Sequence, residues 1–170
     1  VELTQHHDYL DILIRYEGDP DTEASFVWPS VSGDDYTLPI GEGKHFSADD
    51  FVWLDYLGGQ SWEMIESFSM SFAAAGHGDK ALVYVFPENF NNEIVFSQGS
   101  PLGFSVRHTW PSVNPDKAFR VRVYVTENNP VSIAKIYKRY VEETSGIKTL
   151  EEKAAENPNI EKLYGAPHIY

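Results

Sequence analysis

"SFSMSFAAAGHGDKALVYVF", residues 67–86, decides the fold class. Ser67, Ser69 and Ser71 alternate with Phe68, Met70 and Phe72, the period of two of a strand with one buried face. Gly76, His77, Gly78 and Asp79 supply a glycine-rich turn. Ala81 to Phe86 is uninterrupted apolar sequence, as in a strand covered on both faces. Together they predict a β-hairpin.

The same chemistry extends in both directions. Upstream, Leu10, Ile12, Ile14 and Tyr16 alternate with Asp11, Leu13 and Arg15, "EGDPDTEA" (17–24) reads as a turn-rich loop, and "SFVWP" (25–29) reads as a short strand ended by Pro29. Downstream, Leu102, Phe104, Val106 and His108 alternate, as do Phe119, Val121, Val123 and Val125, with Arg120 and Arg122 facing the other way. Seven or eight short strands joined by turns predict a mainly β protein, a β-sandwich.

The pattern changes at Asn129-Pro130, an N-cap followed by a good first helical residue. Ile133, Tyr137, Tyr140 and Val141 recur at helical spacing, and Gly146 suits the C-terminal end. Thr149 and Glu152 form a capping-box pair for a second helix, and Pro158-Asn159 opens a short third one. The expected division is a β-sandwich domain over 1–129 and a helical segment over 130–170. "GAPHIY" (165–170) ends in a β-prone run, His168, Ile169 and Tyr170. It reads as the first strand of a following domain such as an α/β barrel.

Hydrophobic residues make up 42% of the 170, enough for a folded core without staples. Cysteine is absent, which excludes disulfides, thiolate catalysis and cysteine zinc sites. No apolar run is long enough to span a membrane. The net charge is −13, and residues 131–170 hold six basic and six acidic residues, so the excess lies in residues 1–130. Such a surface repels phosphate backbones and anionic lipid, leaving neutral partners such as glycans.

The segment "LPIGEGKHFSADDFVWLDYL" (38–57) combines Pro39, Gly41-Glu42-Gly43, Asp49-Asp50 and Trp53. It resembles a stretch in the N-terminal β-sandwich of bacterial glycoside hydrolases related to endo-α-N-acetylgalactosaminidase, families 101 and 129 and uncharacterised relatives. There it precedes a strand of the type "SMPF". Here "SMSF" (69–72) stands in that place, with Ser71 where proline is usual. "GHGDKALVYV" is similar to the next hairpin, and "VSIAKIYKRYVEE" and "NPNIEKLYGAPHIY" to the approach to the catalytic barrel. "NFNNEIVF" (89–96) has no counterpart in the pattern.

The resemblance implies a galactose-mutarotase-like β-supersandwich followed by a short helical segment leading to a (β/α)8 barrel. In the family, the barrel carries the nucleophile and acid/base carboxylates of retaining hydrolysis. These fall beyond Tyr170, so the resemblance assigns no catalytic residue to this chain. The expected function is a non-catalytic sandwich that supports or flanks the barrel of a larger hydrolase; the alternative is an autonomous carbohydrate-binding module. The downstream barrel is the expected partner, and a glycan a further one. An extracellular or cell-surface setting is expected ahead of a cytoplasmic one.

Asp49 and Asp50 are candidates for acid/base work or sugar contact, although adjacent side chains of a strand diverge and one of the two suits an N-cap. Trp53 and Trp110 are candidate carbohydrate contacts, because an indole covers the CH face of a sugar while carboxylates bind its hydroxyls. Trp28 and Trp62 complete the tryptophans, and core packing competes at each. Asp19, Asp21, Glu23, Asp34 and Asp35 could offer oxygens to calcium, but they lack the EF-hand pattern. An epimerase-like pair of His108 with Glu66 or Glu93 finds no support in spacing. His6, His7, His45, His77 and His168 show no ligand pattern either. No metal or cofactor is expected.

Overall fold

Two antiparallel sheets carry most of the chain, in a computed structural model that describes residues 1–19, 21–88, 90–113 and 118–166. In chain order the strands are β1 (Glu2–Gln5), β2 (Tyr9–Arg15), β3 (Ala24–Ser32), β4 (Asp35–Leu38), β5 (Lys44–Ser47), β6 (Ser61–Glu63), β7 (Phe72–His77), β8 (Lys80–Val85), β9 (Asn92–Phe96), β10 (Gly103–Trp110) and β11 (Ala118–Glu127). Helices α1 (Phe51–Leu57) and α2 (Met64–Ser67) flank β6, and α3 (Pro130–Thr144) and α4 (Leu150–Glu156) follow β11. A seven-stranded sheet has the order β1-β2-β11-β8-β7-β4-β5, and a four-stranded sheet the order β3-β10-β9-β6. The mainly β sandwich read from the sequence is therefore present, with eleven strands among the described residues rather than seven or eight.

The inner faces of the two sheets form one core. Phe104, Val106, His108 and Trp110 point inward from β10, and Ile94 and Phe96 from β9. Tyr84, Phe119 and Val121 meet them from the larger sheet. Rings pack edge-on or offset: Tyr36 lies 5.5 Å from Phe104, and Phe26 lies 5.3 Å from Phe119. The Tyr36 hydroxyl donates to the Leu102 carbonyl at 2.6 Å and accepts from the Gly33 amide, and burial raises its pKa.

The hairpin over 72–85 exists, but its first strand lies further along the chain than the serine alternation predicts. Residues 67–71 are not strand. Phe68 closes a helical turn onto Met64 and bridges Ile40 alone, and both the amide and the hydroxyl of Ser69 donate to the Pro39 carbonyl. Strand pairing begins at Phe72 and runs through Ala73, Ala74 and Ala75, all buried. These alanines give no alternation because both faces of β7 are covered. On the outer face Phe72 meets Tyr137 of α3, 5.4 Å between ring centroids, and Ile133 and Ile136 of that helix are buried. The turn narrows to Gly78-Asp79, with Gly78 at φ +61 as the first residue of a two-residue hairpin requires.

Pro29 does not end its strand. β3 continues to Ser32 as an edge strand, and its register against β10 shifts between Ser105 and Arg107, opposite Trp28-Pro29. An edge strand at an irregular register tolerates a residue without an N–H. The Trp28-Pro29 bond is cis.

The helix signals correspond to real caps. Asn129 Oδ1 accepts from the Ser132 amide at the start of α3, and Gly146 takes φ +70 after its end. Thr149 and Glu152 complete a reciprocal capping box on α4, and Pro158–Leu163 forms a 3₁₀ helix. The chain divides into two units, Val1–Tyr137 and Lys138–Tyr170, so the division falls within α3. The strand expected at His168, Ile169 and Tyr170 lies outside the described residues.

Candidate functional site

The carboxylates of "SADDF" work locally. Asp50 is the N-cap of α1, its Oδ1 accepting from the Val52 amide at 2.9 Å, and Asp49 accepts from the Ser47 hydroxyl at 2.5 Å. Both fix the entry to a helix of only two turns. One face of α1 carries Leu54 and the fully buried Leu57 toward the core. The opposite face leaves Phe51 80% and Tyr56 57% exposed, with Val52 also open. Gly58 and Gly59 then reverse the chain, Gly59 at φ +73, and β6 returns beside α1 to pair with β9.

This return builds a file of rings. Phe46 stacks on Trp53 at 4.5 Å, Trp53 meets Tyr56 at 6.0 Å, Tyr56 meets Trp62 at 5.5 Å, and Trp62 meets Phe96 at 5.7 Å. The file starts and ends in the core and surfaces in the middle. There it borders an open groove of about 650 Å³ lined by Val52, Asp55, Tyr56, Gln60 and Trp62. Two aromatic rings at 70° to each other, one carboxylate and one carboxamide share this corner, and among the described residues no cation lines it. That combination offers apolar ring surface with hydrogen-bond acceptors and a donor beside it.

The tryptophans singled out in the sequence sit elsewhere. Trp53 is half-buried, with one face against Phe46, and does not line the groove. Trp110 is 4% exposed, stacked on Phe26 at 4.9 Å, so as a sugar contact it is corrected by its burial between the sheets. Tyr56, Asp55 and Gln60 were not picked out by sequence reasoning, and Trp62 was weighed there only alongside the other tryptophans. The available signal was Trp53 and Tyr56 three apart on one helix, followed by Gly58-Gly59 and another tryptophan.

The structure does not assemble the other candidate sites. Glu93 lies opposite Arg107 on the outer face of the four-stranded sheet and forms an ion pair with it. His108, one residue on, points into the core, and Glu66 is exposed on α2. The His108 Nδ1–H donates to Asn92 Oδ1 at 2.6 Å, while the Asn92 amide donates to the Glu88 carbonyl at 2.6 Å. Burial lowers the His108 pKa to about 4, which keeps the ring neutral near pH 7. Asp19 accepts from the Asp21 amide and the Thr22 hydroxyl, Asp34 from the Gly78 amide, and Asp35 from Asn128. Among the described residues no three His, Asp or Glu side chains are grouped to hold a metal ion, and no helix is long and apolar enough to cross a membrane.

Two other concavities lie apart from this corner. A shallow groove of about 310 Å³ crosses the outer face of the four-stranded sheet among Ser30, Ser32, Val95, Ser97 and Ser105. An apolar one of about 300 Å³ lies beside Leu38, Pro39, Met70, Phe72 and Ala134, with Glu42, Lys44 and His45 on its lining.

No protein-family model matches the chain, and no curated protein matches it. Solved structures do. The chain superposes on α-N-acetylgalactosaminidase NagBb from Bifidobacterium bifidum, with TM-score 0.63 and 19% identity for its GalNAc complex. The Gal-NHAc-DNJ complex gives 0.63 at 16% identity, and the ligand-free enzyme 0.60 at 17%. The fold is that of a glycoside-hydrolase domain. Each match covers 95% of this chain but 33% of the enzyme, so the chain spans about a third of the length of the proteins it resembles.

Proposed function

We propose that this chain is the non-catalytic β-sandwich of a longer glycoside hydrolase acting on α-N-acetylgalactosaminides. One observation carries the reading: nearly the whole chain, 95%, superposes on one third of an α-N-acetylgalactosaminidase. The "P…EG…DD..W" pattern over 39–53, similar to families 101 and 129, supports it from the sequence side. On this reading residues 1–129 are a galactose-mutarotase-like supersandwich, and residues 130–170 lead to a (β/α)8 barrel that supplies the two catalytic carboxylates. The sandwich buttresses that barrel and flanks its cleft. The roles of Asp49 and Asp50 fit a non-catalytic part, since one caps α1 and the other holds the loop before it.

A second reading, an autonomous carbohydrate-binding module, is favoured by the open corner at Tyr56 and Trp62. The first is tested by assaying this chain and the same chain extended through its downstream coding sequence on an aryl α-N-acetylgalactosaminide, and the second by glycan binding to residues 1–170 alone. Release of N-acetylgalactosamine by the longer protein alone is expected. Release by residues 1–170 alone, or none by the longer protein, overturns the first reading.

A further inference from the structure

We infer that the groove between α1 and β6 is a subsite for a neutral pyranose sugar. A pyranose presents an apolar CH face and a rim of hydroxyls. The groove presents the complementary surfaces: the rings of Tyr56 and Trp62, with the Asp55 carboxylate and the Gln60 amide beside them. The carboxylate accepts from hydroxyls, and the carboxamide both donates and accepts. The rings supply dispersion and CH–π contact.

Charge selects the class of sugar. Among the described residues the groove holds one carboxylate and no cation, on a chain of net charge −13, so uronates, sulfated sugars and phosphates are repelled. The same argument disfavours an acidic peptide. The size of the groove, about 650 Å³, lies in the range of small-ligand sites. Trp53 on one side and Phe96 on the other meet Tyr56 and Trp62 edge-on and connect them to the core.

The subsite deepens the glycoside-hydrolase reading and rests on it for the choice of N-acetylgalactosamine as probe. The chemistry of the groove stands without it.

The test is an amide NMR titration of residues 1–170 with N-acetylgalactosamine, galactose and glucuronate, each into the millimolar range. The expected result is shifts within Val52–Leu57 and Gln60–Trp62 for at least one neutral sugar and none for glucuronate. Tyr56→Ala and Asp55→Asn are each expected to weaken binding about tenfold or more. Both residues are exposed, so the strand resonances of these variants should match the parent and certify folding.

No shift with either neutral sugar overturns the subsite, as do equal shifts with glucuronate or binding unchanged in both variants. Concentration-dependent shifts of the same residues without sugar identify the corner as a self-association surface and also overturn it. If the groove fails while the longer protein still releases N-acetylgalactosamine, only the subsite falls. If the groove binds sugar and the longer protein releases none, the hydrolase reading falls and the subsite stands.

Discussion

The sandwich core and the α1–β6 corner are made of the same residue types and end in opposite states. In the core, Phe104, Phe119, Tyr36 and Trp110 are closed in by two sheets. At the corner, Tyr56 and Trp62 belong to the same continuous file of rings but have a helix of two turns and a three-residue edge strand around them. Nothing within the described residues forms a second layer over Tyr56, so its ring stays 57% exposed. The difference lies in layering. An aromatic residue on an inner strand face is sealed by the opposite sheet, whereas one on a short edge element is sealed on one side only.

The comparison can be broken most severely from the core. Phe104→Ala removes a ring packed against Tyr36 and Tyr84 and is expected to cost about 3–5 kcal/mol in urea unfolding, without changing the chemistry of the groove. A loss below about 1 kcal/mol would mean that the sheets are not closed on each other.

Asn92→Ala comes next. It leaves the 4%-exposed His108 without its acceptor, and a loss of about 1–3 kcal/mol is expected at pH 7. The same histidine gives the core a pH dependence. With its pKa lowered to about 4 from 6.5, the folded chain binds fewer protons than the unfolded chain between those values. The stability tied to neutral His108 is complete above about pH 6.5 and falls as the pH drops toward 4. Unfolding measured at pH 7 and pH 5 should show a larger acid loss for the parent than for His108→Asn. Equal losses would place His108 in contact with water.

Asp50→Ala removes the cap of α1 and is expected to cost about 1 kcal/mol, with the amide exchange of α1 rising before that of the sheets. Tyr56→Ala has the smallest expected effect on stability, within about 0.5 kcal/mol, because its ring is largely open already. A large destabilisation by Tyr56→Ala would erase the distinction between corner and core.

What the sequence discloses follows the range of the forces involved. Asp50, Asn129 and the Thr149–Glu152 pair act on backbone within three residues, and each cap is legible, that of α1 as one of the adjacent pair Asp49-Asp50. The hairpin at Gly78-Asp79 is equally local. Ala73 to Ala75 are illegible as strand because a segment buried on both faces carries no alternation, and within the serine pattern of 67–71 it is Ser69 that bonds to the Pro39 carbonyl rather than to a strand partner. Tryptophan exposure is set at still longer range. Trp110, on the inner face of β10, is buried between the sheets against Tyr16 and Phe26, whereas Trp62 is left half-buried at the edge strand β6, and neither set of neighbours lies near the residue in sequence.

Indole N–H resonances measure the contrast directly. In residues 1–170, titrated with the neutral sugar that perturbs α1, the Trp62 signal is expected to move while the Trp110 signal stays fixed. Movement of Trp110 with Trp62 unmoved would contradict the assignment of closed core and open corner.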